Sequence, residues 1–332
     1  MKGLLLLNLG TPDAPETPAV RRYLREFLMD GRVLDINPVG RWLLVNGIIA
    51  PFRSPKSAAA YKTVWMPEGS PLLVYGEALK EGVQAALGQG WKVALGMRYG
   101  RPGTLAALQE LAGCEEIVVL PLYPQFASSS SSSSLEHVMK LAAEMPVPPP
   151  LRVVQDFYAQ PFFIQAQAEL AREAVQGADH VLFSYHGVPE RQVQYTDPTG
   201  SHCKFNGCCD AIGPNNRHCY RAQCFATTRA LIAALDLDPE RCSTSFQSRL
   251  GRIPWIRPYT DEVLVELGQQ GIGTLAVLTP SFVSDCLETI EEIGDRGVEE
   301  FTGAGGTELR RVPCVNATEP FVQGLSEFVR GL

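Results

Sequence analysis

The chain has 332 residues, enough for two packed domains or one large one. Hydrophobic residues make up 45% and charged residues 20%, and the net charge of −7 offers no basic field to nucleic acid or to an anionic membrane surface. The apolar runs are short and broken by Gly, Pro or polar residues, which argues against a membrane-spanning helix.

The first eight residues, Met1 to Asn8, carry one basic side chain, a very short apolar run and no small-residue cleavage site. They read as a buried first strand rather than a secretion signal, and the expected location is the cytoplasm. Thiols stay reduced there, so the nine cysteines are not expected to form a disulfide framework. Cys114, Cys242, Cys286 and Cys314 are scattered and read as small buried hydrophobes. The other five, Cys203, Cys208, Cys209, Cys219 and Cys224, crowd into one short stretch.

In chain order, residues 4–7 form an apolar strand ended by Asn8-Leu9-Gly10-Thr11-Pro12. A helix follows, with Val20, Tyr23, Leu24, Phe27 and Leu28 on one face. Residues 51–57 read as a proline-punctuated basic loop entering a helix at 58–65. Gly69-Ser70-Pro71-Leu72 marks a turn. Strands are expected at 92–95 and 117–120, ending at Gly96-Met97-Arg98-Tyr99-Gly100 and Pro121-Leu122-Tyr123-Pro124-Gln125, with a helix at 104–111 between them. Seven serines, 128–134, read as a low-complexity linker or a polar strand-to-helix loop before a helix at 135–143. The proline-rich 145–150 is the linker candidate, with a domain boundary there.

The second half repeats the rhythm. Strands are expected at 153–154, 180–183, 244–249 and 275–278, and helices at 161–175, 226–235, 261–267 and 281–293. A closing helix at 320–329 is expected to pack back on the first domain. Alternating strands and helices in two similar halves predict an α/β protein of two Rossmann-like, doubly wound parallel-sheet domains. The domains are expected at 1–148 and 149–305, the second interrupted by a cysteine-rich insertion at 199–224, with 306–332 as the returning segment.

Ligands in such sheets sit beyond the carboxyl ends of the strands. The polar residues there are Asn8, Arg98, Tyr99, Tyr123, Gln125, Ser184, Tyr185, His186, Gln247 and Ser248. Asp285, Glu288 and Glu292 are spaced i, i+3, i+7, so a helix over 281–293 would show all three carboxylates on one face. Such a row is more often a solvated face, and a lone histidine more often structural. An imidazole facing a carboxylate row across a cleft would instead combine a proton acceptor, a relay and hard metal ligands.

These residues carry a family resemblance. Asn8-Leu9-Gly10-Thr11-Pro12, Gly69-Ser70-Pro71-Leu72, Gly96-Met97-Arg98-Tyr99-Gly100 and Pro121-Leu122-Tyr123-Pro124-Gln125 resemble ferrochelatase motifs. So do Phe183-Ser184-Tyr185-His186-Gly187-Val188-Pro189, Phe246-Gln247-Ser248-Arg249-Leu250-Gly251, Pro254-Trp255 and Phe282-Val283-Ser284-Asp285-Cys286-Leu287-Glu288-Thr289. Eight motifs in the family's order, from residue 4 to about 293, make the resemblance specific. It implies a type II chelatase-like fold with a porphyrin cleft between two domains. The implied reaction is insertion of Fe²⁺ into protoporphyrin IX or coproporphyrin III with release of two protons, in haem biosynthesis.

The resemblance makes His186 the active-site histidine, as proton acceptor or iron ligand, and Glu288 its partner carboxylate. Asp285 and Glu292 complete a polar row for protons or iron. Arg53 and Lys56, or Arg98, are the candidates to pair with propionates; Tyr99, Tyr123, Ser248, Trp255 and Phe282 are the candidates to line the macrocycle site.

The chain departs from the family in its serine run and in the insertion between Asp197-Pro198 and Gln223-Cys224. Five thiols spaced C-x4-C-C-x9-C-x4-C have no packing reason to cluster and point to metal. Four thiolates satisfy zinc or a 2Fe-2S cluster. The resemblance to bacterial ferrochelatases with internal cysteines favours the cluster, with one of Cys208, Cys209 and Cys224 spare and His202 and His218 as weaker ligands. A chelatase for another metal or tetrapyrrole is the alternative, as is a non-catalytic haem or iron-sulfur protein. The expected partners are porphyrin and ferrous iron. The apolar 43–52 is a candidate for peripheral membrane contact, although a buried helix end is the preferred explanation.

Overall fold

The computed structural model describes residues 1–251 and 253–332; Arg252, in the segment after the sixth strand, lies outside them. Contacts divide the chain into two compact units. The first comprises Met1–Tyr123, Ser128–Asp156 and Val322–Leu332, and the second Pro124–Ala127 and Phe157–Phe321.

Each unit is built on a four-stranded parallel sheet, and the two sheets have the same order. In the first, β1 (Lys2–Thr11) lies between β2 (Trp91–Gly100) and β3 (Ile117–Pro121), with β4 (Leu151–Val153) beyond β3. In the second, β5 (His180–His186) lies between β6 (Cys242–Gln247) and β7 (Thr274–Leu278), with β8 (Glu308–Arg311) beyond β7. The continuous apolar runs follow from burial on both faces: Leu4 to Leu7 are all 0% exposed. Burying each such side chain contributes about 1.5–3 kcal/mol. In the second unit Leu182, Leu275 and Val277 pack with Leu264, Ile293 and Phe301.

Several expectations change. The second strand runs on to Gly100 instead of stopping at residue 95, because its partner β1 also continues and pairs Asn8 with Met97 and Gly10 with Tyr99. Gly10 permits this: at φ +115° a Cβ would stand 1.7 Å from the Tyr99 carbonyl oxygen. Arg98 and Tyr99 therefore belong to a strand, not to a loop beyond it. His186 likewise closes β5 as its last residue. Residues 151–153, assigned by sequence to the second half, pair with β3 in the first sheet, and the first unit runs on through Asp156.

The basic loop expected at 51–57 is helical. Pro38–Leu43, a π-helical stretch Leu44–Ile49 and Ala50–Val64 follow one another without a break. In the π stretch the Ala50 N–H reaches back to the Val45 carbonyl, so the missing N–H of Pro51 falls at the start of the new α-helical register. Nor is the end of this apolar stretch buried: Leu43, Ile48 and Phe52 are 57%, 58% and 79% exposed. The serine run is not a linker either, since Ser128–Ser132 is π-helical and Ser133 opens the helix Ser133–Ala143. The helix Pro71–Leu87 and the polar strand β8 lacked a sequence signal strong enough to expect. Among the described residues no helix is long and apolar enough to cross a membrane.

Candidate active site

His186 stands at the carboxyl end of β5, beside the switch point where neighbouring connections leave the sheet in opposite directions. β7 has ended at Leu278 by this level, and the Ser281 hydroxyl takes over, accepting the His186 N–H at 3.0 Å. Tyr220 donates its hydroxyl to the His186 carbonyl at 2.8 Å. Nδ1 lies 2.6 Å from the Gly187 carbonyl oxygen. A carbonyl can only accept, so Nδ1 carries the proton and Nε2 of the neutral ring carries the free lone pair. Gly187 is required here, because a Cβ would stand 2.8 Å from the Gln247 carbonyl oxygen and 3.2 Å from the Trp255 ring.

Gln247 joins the strand ends to the carboxylates. Its Oε1 accepts the Ser184 hydroxyl at 2.9 Å, and its Nε2 donates to the Glu288 carbonyl at 2.8 Å and to Glu292 Oε2 at 3.3 Å. Ser248, at φ +66°, turns its N–H to Glu292 Oε1 at 2.8 Å, and its hydroxyl bonds the other oxygen.

The carboxylate row differs from the expected helix. Residues 281–286 are not helical; the run begins at Leu287–Thr289, becomes π-helical over Ile290–Gly297 and ends as Val298–Gly303. Asp285 therefore precedes the helix and does not share a helical face with Glu288 and Glu292. Its carboxylate is buried and fully engaged. Oδ1 accepts from Arg311 at 2.6 Å and Thr289 at 2.8 Å, while Oδ2 accepts from Asn316 at 2.9 Å and the Cys314 N–H at 3.3 Å. Glu288 is half-buried at the start of the run, two residues beyond Cys286, the N-cap of that run.

Of the macrocycle candidates, Phe282 is half-buried with its ring centroid 6.2 Å from that of His186. Trp255 is fixed by an indole N–H bond of 2.9 Å to the Leu250 carbonyl. In the first unit, Tyr123 shares a 3.2 Å hydroxyl contact with Ser134, and burial pushes its phenol up. Arg53 and Lys56 are exposed on the helix Ala50–Val64.

Arg98 and Tyr99 are otherwise occupied. Asp30 Oδ2 accepts from Arg98 at 2.6 Å, from Tyr99 at 2.8 Å and from Ser133 at 2.5 Å. Tyr99 is only 1% exposed, so it has no ring face to offer a macrocycle. Burial tends to raise the Asp30 carboxyl; bonds from Ser133, the Arg32 N–H and Tyr99, with the Arg98 charge, outweigh it and hold it below the usual range.

In the insertion the sulfurs of Cys208 and Cys209 are 4.0 Å apart, and Arg221 donates to the Cys209 sulfur at 3.1 Å. The nearby Cys219 thiol, then burial, pushes the Cys209 thiol up, and the Cys209 thiol in turn holds Cys219 below its ordinary range. Asp197 braces the entry to this loop through the N–H groups of His202 and Cys203, at 2.8 and 2.9 Å. Asn216 braces its middle, donating to the Cys208 carbonyl at 2.7 Å. Cys224 is set apart: it is fully buried within the helix Tyr220–Leu235. Among the described residues no group of three or more His, Cys, Asp or Glu side chains is closed around a metal position.

Sequence reasoning left Gln247 as one strand-end polar residue among many and counted Cys286 as a buried hydrophobe. It missed Asp30, Arg311 and Asn316. Strand-end position was the signal for Gln247; the others are identified only by tertiary contacts.

The family model described as Ferrochelatase matches residues 1–331. A ferrochelatase of Legionella pneumophila (strain Lens) is 44% identical over 328 residues, covering 99% of this chain and 98% of that protein. One of Coxiella burnetii (strain Dugway 5J108-111) is 44% identical over 332 residues, covering 99% and 93%. Among solved structures, SirB from Bacillus subtilis with Fe³⁺ has a TM-score of 0.52 at 11% identity, covering 99% of this chain and 94% of that one. The sirohydrochlorin chelatase SirB from Bacillus subtilis subspecies spizizenii in complex with cobalt has a TM-score of 0.53 at 10% identity, with the same coverages. The two parallel sheets and these neighbours make the fold type II chelatase-like, with two Rossmann-like domains.

Proposed function

We infer a division of labour among these residues from one premise: the chain belongs to the ferrochelatase family. It is a metal-chelating enzyme that inserts Fe²⁺ into a porphyrin in haem biosynthesis. Two pyrrole protons must leave as the metal enters, so the site needs a base. We assign that role to Nε2 of His186. The supporting observation is the bond from Nδ1 to the Gly187 carbonyl, which fixes the tautomer with its lone pair on Nε2. Glu288 is the partner carboxylate, and Glu292, tied to Ser248 and Gln247, continues the path for protons or iron. Asp285 anchors the loop rather than carrying protons, because both its oxygens are already engaged.

Phe282, Trp255, Ser248 and Tyr123 are the proposed macrocycle contacts, with Arg53 and Lys56 the proposed propionate partners. Arg98 and Tyr99 support the first unit through Asp30. An anaerobic insertion assay with Fe²⁺ and porphyrin tests the assignment: Glu288→Gln lowers kcat at least about 100-fold, and a full-rate variant contradicts it.

The cysteine insertion is proposed to hold a 2Fe-2S cluster through Cys203, Cys208, Cys209 and Cys219, with Cys224 spare. The donor chemistry fits: the loop supplies four thiols, and two thiolates on one tetrahedral ion with bonds of about 2.3 Å stand about 3.8 Å apart, close to the 4.0 Å between Cys208 and Cys209. When bound, such a cluster supplies a redox-active brace for the loop. Structural zinc uses the same donors, and the visible absorption spectrum separates the two. A brown protein bleached by Cys203→Ser supports the cluster; a colourless, zinc-loaded one refutes it.

The acidic charge and reduced thiols support a cytoplasmic location. The exposed Val39, Trp42, Leu43, Ile48 and Phe52, on a helical run that also carries Arg41, Arg53 and Lys56, support peripheral contact with an anionic bilayer. Flotation with anionic vesicles tests this, and a Phe52→Ser, Trp42→Ser protein that still floats contradicts it.

A further inference from the structure

The peptide between His186 and Gly187 is held on both edges. Its carbonyl oxygen accepts the Tyr220 hydroxyl at 2.8 Å, and its N–H, that of Gly187, donates to the Gln247 carbonyl at 2.8 Å. The plane of this peptide decides where the next carbonyl, that of Gly187, points. That carbonyl accepts Nδ1–H of the imidazole at 2.6 Å, and the bond made at one ring nitrogen sets which nitrogen keeps its lone pair. The Gln247 carbonyl belongs to β6 and moves only with the sheet. The Tyr220 bond comes from outside the sheet.

Tyr220 is 6% exposed and is the first residue of the helix Tyr220–Leu235. The N-cap, Cys219, makes no side-chain cap bond among the described residues, so the thiol loop fixes where the helix begins. The Cys219 N–H donates to the Asn216 carbonyl at 2.9 Å, Gln223 Nε2 to the Arg217 carbonyl at 2.8 Å, and Arg221 to the Cys209 sulfur at 3.1 Å. Asn216 ties the loop to itself, donating to the carbonyls of Cys208 and Ala211 at 2.7 and 2.8 Å. One helical turn thus bonds the thiol loop through Arg221 and Gln223 and the His186 backbone through Tyr220.

We propose that Tyr220 is a positioning residue for iron insertion: its hydroxyl locks the His186–Gly187 peptide, holds the tautomer that leaves Nε2 free, and makes that tautomer depend on the fold of the thiol loop. This rests on the assignment of Nε2 as the base.

The test uses the purified full chain with ¹⁵N-labelled histidine, the His186 signals being those that His186→Asn removes. In the native protein Nδ1 gives a protonated and Nε2 an unprotonated ring-nitrogen resonance. Tyr220→Phe keeps the buried ring and removes only the hydroxyl. It moves the two resonances toward each other as the tautomers mix, and slows anaerobic single-turnover insertion about ten-fold, as expected when a buried carbonyl loses its donor. The KM for porphyrin stays unchanged, because Tyr220 bonds the backbone of the base and not the substrate. Asn216→Ala, which loosens the loop, moves the same resonances and slows insertion, and adds nothing in a Tyr220→Phe background. Unmoved resonances in Tyr220→Phe, a full-rate Tyr220→Phe enzyme, or an Asn216→Ala protein with native resonances overturns the proposal alone. A full-rate His186→Ala enzyme overturns the assignment of the base itself, and the proposal with it.

Discussion

The two sheets share one strand order but finish their strand ends differently. At the end of β2, Arg98 and Tyr99 are closed off by Asp30 and Ser133, and every charge has a partner. At the end of β5, His186 keeps the Nε2 lone pair, and the groups around it hold its orientation through the backbone and Nδ1. Repeating a fold does not repeat its chemistry. A polar group at a strand end becomes reactive only where its neighbours fix its geometry and leave one atom unspent.

The largest effect expected from breaking this contrast is His186→Ala, which lowers kcat about 100- to 10,000-fold without moving the thermal midpoint, checked by anaerobic turnover and calorimetry. Next is Asp30→Asn, which leaves the Arg98 guanidinium without its partner in a site where it is only 17% exposed. That variant loses about 3 kcal/mol of stability while its folded fraction keeps most of its activity, measured by urea unfolding and turnover. Third, Gln247→Ala lowers kcat about ten-fold, because Glu288 and Glu292 lose their tie to the strand ends.

The smallest effect is in pH. The Asp30 carboxyl lies below its ordinary value in the folded chain, so its contribution is complete above the unfolded value of ~3.9 and is lost as pH falls through the folded one. Urea midpoints measured on acidification therefore fall more steeply for the native chain than for Asp30→Asn.

The sheets were legible because runs such as Leu4 to Leu7 and Val181 to Phe183 are buried on both faces. His186 was legible because it follows such a run. The carboxylate row was legible only in part. Spacing put Glu288 and Glu292 on one helical run, but an α-helical wheel misplaced Asp285, since helix formation waits for the Cys286 cap and then widens into a π turn. The serine run and Pro51–Pro55 misled for a related reason: composition suggested loops, while burial of Ser131 and Ser133 and the π turn before Pro51 made helix. Asp30 gave no signal at all, because its partners Arg98 and Ser133 are 68 and 103 residues away.

The contrast between the two strand ends comes down to one measurement: single-turnover Fe²⁺ insertion, without oxygen, by equal concentrations of folded His186→Ala and Asp30→Asn protein. The histidine variant should be slowed at least about 100-fold with an unchanged melting point, and the aspartate variant should insert iron at close to the native rate from a less stable fold. A His186→Ala enzyme that metallates porphyrin at the native rate would contradict the assignment of Nε2 as the base.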